Sequence, residues 1–194
     1  MRSLKMAHLA DDDWQSIVRS AYLTRVERLR VAFPRPIDLA WLLDMPLARQ
    51  LRVLVLTGSR LDANLLAAFG QTDASSGLKT LILADTRMDD EMARGLSKVA
   101  TFRDLKRLSV ADNPDLGIEG IASLLEAEFA PRLDVLAVGC GWFDDYLVRQ
   151  LAESQLSSTI RLSMKHGFVG LDKEAFKKRF PNCSFGDDPI ARHL

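Results

Sequence analysis

The feature that most constrains this chain is a segment that recurs at a fixed interval. "LRVLVLTGSRLD" begins at residue 51, "LKTLILADTRMD" at 78, "LKRLSVADNPDLG" at 105 and "LDVLAVGCGWFD" at 133, so the starts are 27, 27 and 28 residues apart. Within each segment positions 1, 4 and 6 are apolar, and another apolar residue follows at position 11, or 12 in the third. A period of this length means one supersecondary unit copied along the chain. A single copy cannot bury its own apolar side, so the copies must stack.

Weaker copies hold the same phase towards both ends. "MRSLKMAHLADD" at 1, "VERLRVAFPRPI" at 26 and "TIRLSMKHGFVG" at 159 bring the number of units to seven. The expected organisation is one domain over 1–194, with units at 1–25, 26–50, 51–77, 78–104, 105–132, 133–158 and 159–179. A closing strand is expected at 180–186, where Cys183 and Phe185 are spaced like positions 4 and 6, followed by a polar tail over 187–194.

Each unit carries two periods. Positions 4 and 6 alternate with polar or small residues, as in a strand that buries one side. After position 11 the spacing becomes helical: Met92, Leu96 and Val99 in one unit, and Leu147, Val148, Leu151 and Leu156 in another. Asp62, Asp89 and Asp144 fall where a helix N-cap is wanted, because a carboxylate there accepts the free N–H groups of the first turn. The acidic pair in "TRMDDE" is thus expected to start a helix rather than to do chemistry.

Strand and helix in one repeated unit give an α/β fold of parallel strands with helices behind them. The pattern resembles the leucine-rich-repeat family, LxxLxLxxNxL followed by a helix, and the unit length resembles its ribonuclease-inhibitor-like class. The resemblance runs from Met1 to about Phe180. It implies a right-handed solenoid bent into a horseshoe arc, with the sheet on the concave face and the helices on the convex one. The family's asparagine position holds Ser59, Thr86, Asn113, Gly141 and Gly167, so only Asn113 matches. Serine and threonine can replace its turn bonds; glycine cannot.

Composition narrows the function classes. The chain has 26 basic and 26 acidic residues, so nothing in the overall charge favours nucleic acid. The two cysteines are far apart, which suits a reducing compartment; the first residues turn acidic after nine and lack the long apolar core expected of a signal peptide, and no apolar run approaches membrane length. A cytoplasmic location without membrane insertion is the expectation.

Catalytic arrangements are thin. Position 8 reads Asp85, Asp112, Cys140 and His166 in successive units. Neighbouring units place equivalent residues about 5 Å apart, but here cysteine stands between carboxylate and histidine, the wrong order for a triad. His8 and His166 are six steps apart, roughly 29 Å at that spacing, and cannot share a metal ion. No glycine loop for phosphate, CxxC pair or HExxH run occurs. No enzyme activity, cofactor or metal is expected.

What the template leaves unexplained is a set of residues on the outward strand face and in the loops beyond it. Arg60, Thr80, Ile82, Asp85, Arg87, Asp112, Trp142 and Phe168 are the expected contacts for a partner. Exposed tryptophan and arginine are common interface anchors. The expected function is a non-catalytic protein–protein interaction module. The alternative is a substrate-recognition segment of a larger protein, such as a bacterial effector or enzyme.

Overall fold

The computed structural model describes residues 2–7, 23, 25–32, 48–58, 60–61, 63–71, 77–138, 161–164, 174, 178 and 184–185. Among them, eight strands form one sheet: β1 (Ser3–Ala7), β2 (Arg28–Ala32), β3 (Val53–Thr57), β4 (Thr80–Ala84), β5 (Arg107–Val110), β6 (Val135–Val138), β7 (Arg161–Met164) and β8 (Ser184–Phe185). All seven neighbouring pairs are parallel, and the order in the sheet is the order in the chain. Three helices are described between strands: α1 (Ala63–Gln71), α2 (Asp90–Ser97) and α3 (Ile118–Leu125). No described helix is long and apolar enough to cross a membrane.

The strand register follows the repeat. Position 3 forms one row across the sheet, Ser3, Arg28, Val53, Thr80, Arg107, Val135 and Arg161, each paired with the next. Position 5 forms another, from Lys5 and Arg30 through Val55, Ile82, Ser109 and Ala137 to Ser163. The closing strand keeps the phase, with Phe185 opposite Met164. A slip of one residue would turn every buried leucine outward, and so burial enforces the register.

Two core layers hold the stack. Leu29, Leu54, Leu81, Leu108 and Leu136 at position 4 are at most 1% exposed. They share one buried cluster with Phe69 of α1, Ala93 and Leu96 of α2, and Ile121 and Leu124 of α3. All three described helices therefore pack into the cluster that holds these leucines. Behind them Phe69, Phe102 and Phe129 pack edge to face, with ring centroids 5.3 and 5.8 Å apart. Such pairs contribute roughly 0.5–1.5 kcal/mol beyond their buried area.

The backbone is joined in a repeating way at the head of each strand. The carbonyl at position 2 accepts from two N–H groups of the following unit. Arg2 O takes Glu27 N and Arg28 N at 2.9 and 3.0 Å, and Arg52 O takes Lys79 N and Thr80 N at the same distances. Glu27, Lys79 and Lys106 carbonyls do likewise.

At the other end of the strands the buried amide of Asn113 joins two units. Its Oδ1 accepts from Thr86 N at 2.9 Å and Met88 N at 3.0 Å, while its Nδ2 donates to Leu83 O at 2.7 Å and Val110 O at 2.9 Å. Thr86, standing at the asparagine position one unit earlier, has its hydroxyl 3.3 Å from Leu83 O and 3.1 Å from Asn113 Oδ1. Threonine thus serves that position through a shorter side chain. Removing the amide strands several buried polar groups at once. Asn113→Ala is expected to lower stability by about 3–5 kcal/mol, measured as a shift in the urea unfolding midpoint, whereas Thr86→Val loses about 1 kcal/mol.

Candidate functional site

The loops leaving β3, β4 and β5 begin with a backbone reversal that recurs in the three units. Gly58, Asp85 and Asp112 occupy position 8 and have φ of 74°, 54° and 58°. This left-handed conformation is open to glycine and, among other residues, most readily to Asn and Asp. The reversal is pinned to the next unit: Gly58 N donates to Asp85 O at 3.0 Å, and Leu61 N donates to Thr86 O at 3.1 Å. The aspartates at position 8 are therefore explained by turn geometry, which the spacing alone had left unassigned.

Arg87 is a different case. It also has positive φ, 50°, with no glycine-like side chain to suit it. Arg60, Asp85 and Arg87 are all exposed, and Asp112 is half-buried. These four expected contacts follow the exit ends of β3, β4 and β5 in successive units.

The strand-face expectation is corrected. Thr80 and Ile82, expected to be open to a partner, are 7% and 1% exposed. Ile82 lies in a second apolar cluster with Val55 and Ala137, flanked by Val53, Ala84 and Val135. In the register Val55, Ile82, Ser109 and Ala137 stand in one row on the sheet's other face, and all four are buried. Strands whose side chains are buried on both sides read as nearly continuous apolar runs, as "LRVLVL" and "LKTLIL" do. Trp142 and Phe168 lie outside the described residues, as do Cys140 and His166.

Beside Arg60 an open groove of about 700 Å³ runs between α1 and α2. Leu61, Leu66, Met92 and Val99 line it together with Asp89, Glu91 and Lys98. Among the described residues no group of three or more His, Cys, Asp or Glu is placed to hold a metal ion.

The acidic pair divides its work. Asp89 caps α2, its carboxylate accepting from Met92 N at 2.9 Å, as its position in the unit predicts. Asp90 reaches one unit ahead: its Oδ1 accepts from Gly117 N at 2.7 Å and Gly120 N at 3.0 Å, at the start of α3. Gly117, the N-cap of α3, has no side chain to do this itself. The sequence signal for this role is the missing cap at 117 set against a spare carboxylate one period earlier.

The fit leaves no room for a methyl group. A Cβ on Gly120 would stand 2.6 Å from Asp90 Oδ1 and 2.9 Å from Asp90 Cα. Gly120→Ala gains about 1 kcal/mol of helix propensity but meets backbone, and overpacking costs roughly 1–3 kcal/mol. The clash wins, and a lower unfolding midpoint in urea is the expected result. Asp90→Ala is expected to cost about 1–3 kcal/mol and Asp90→Asn less, since an amide oxygen still accepts.

In comparisons with known proteins, no family model matches the chain and no curated sequence matches it significantly.

Proposed function

We propose that this chain is a leucine-rich-repeat solenoid serving as a non-catalytic protein-interaction module, and that it holds its partner on the loops at the exit edge of the sheet. The strict chain order of the parallel strands supports the solenoid reading. So does the packing of all three described helices into the cluster that holds the position 4 leucines. Helices about 10 Å across stacked against strands 4.8 Å apart bend such an array with the sheet inside.

The observation that carries the interaction reading is Arg87. An exposed arginine holds a backbone conformation in which glycine is more stable by about 1 kcal/mol. Neither core nor cap gains from the arginine. Strained, exposed and charged residues on a rigid turn are what a preorganised contact requires. Arg60 stands one unit away on the same edge and extends the contact toward the groove between α1 and α2.

The test separates stability from binding at one residue. Arg87→Gly is expected to raise stability by about 0.5–1 kcal/mol, read as a higher urea unfolding midpoint, and to weaken partner binding. The paired variant Arg60→Glu with Arg87→Glu is expected to abolish retention of a protein that the wild-type chain captures from its native lysate. A captured protein that binds wild type and variant equally in a purified pair would remove the exit-edge assignment.

A further inference from the structure

The entry edge of the sheet carries a row of cations that neither the fold nor the proposed exit-edge contact uses. At position 2 the register brings Arg2, Arg52, Lys79 and Lys106 onto one line, and at position 3 it adds Arg28 and Arg107; all six are exposed. Over β1 to β6 the other residues at these two positions are the acidic Glu27 and Asp134 and the uncharged Ser3, Val53, Thr80 and Val135. The opposite edge of the same strands carries both signs, with Asp85 and Asp112 beside Arg60 and Arg87. A formal net charge of zero thus conceals a local excess of cations at the entry edge.

The basic row extends onto the outward face at β1 and β2. Lys5 and Arg30 are paired in the register there, and Nε of Arg30 is buried without a hydrogen-bond partner. A buried donor left unpaired is costly and calls for an acceptor. Among the described residues, Arg52 and Lys106 of the edge donate within the chain, to Gly77 O at 2.9 Å and Arg132 O at 3.2 Å.

We infer that this edge is a second docking surface, whose occupant is an extended acidic segment of a protein. From β1 to β5 the row runs four strand spacings, about 19 Å, which some six extended residues cover. Arginine dominates the row, and its planar fork matches carboxylates in pairs. Single-stranded nucleic acid fits less well, because binding it without sequence preference relies on aromatic platforms. Phe69, Phe102 and Phe129 are buried in the core, and no exposed ring stands on this edge among the described residues. The carboxylates of Glu27 and Asp134 also repel a phosphate chain, while a peptide can answer them with a basic residue.

The experiment is fluorescence anisotropy of a labelled twelve-residue polyglutamate peptide with the full chain. Wild type is expected to bind in low salt and to release the peptide as salt rises. The triple variant Arg28→Glu, Lys79→Glu, Arg107→Glu is expected to lose about tenfold or more in affinity, with unchanged circular dichroism. Arg60→Glu with Arg87→Glu, on the opposite edge, is expected to leave peptide binding intact, so failure here is distinguishable from failure of the exit-edge reading. The inference is overturned if the folded triple variant binds within twofold of wild type. It is equally overturned if a labelled oligothymidylate, or vesicles containing phosphatidylserine, compete the peptide away more strongly than unlabelled polyglutamate does at the same salt.

Discussion

The stack depends on bonds that pass from one unit to the next, and the two side chains Asn113 and Asp90 show how. Asn113 ties the turn at 86–88 to the carbonyls beneath it, and the Asp90 carboxylate caps a helix that belongs to the following unit. A turn or helix end left alone would bury unpaired N–H and C=O groups, at a cost that an isolated unit could not bear. Neighbouring units remove that cost for each other. This is why the array must be contiguous, and why a glycine at 120 is needed where the Asp90 backbone comes close.

The two edges of the sheet follow from the same contiguity. Parallel strands in chain order put every entry end on one side and every exit end on the other. Any bias of the repeat at position 2 or position 8 is then multiplied into a row. At the entry end the row is mostly cationic, with Glu27 and Asp134 among its members; at the exit end it is a series of left-handed turns with aspartates and arginines. The backbone carbonyls at position 2 fix the spacing of the first row, because each is bonded twice to the next unit.

Sequence periodicity made the strands, their order of pairing and their inward rows legible, because alternation at positions 4 and 6 leaves only one register that buries the leucines. Asp89 was legible for the same reason, being placed by its offset from the strand. Ile82 was not. Its neighbours in space, Val55 and Ala137, come from units before and after it, and no reading along one unit reveals that they close over it. Asp90 escaped for a related reason: its partners are 27 and 30 residues away, and a local cap was already supplied by Asp89.

What the sequence determined by itself was the unit: a strand with one apolar side, a helix start, and a period that demands stacking. The tertiary structure decided which of the remaining side chains are available to a partner. Ile82 is lost to the sheet's second apolar cluster and Thr80 is buried beside it, Asp85 and Asp112 are bound up in turn geometry, and Arg60 and Arg87 remain in solvent. The physical reason is that periodicity records what each unit buries against the common core. Exposure depends on the side chains one strand to either side, and those are set by different units.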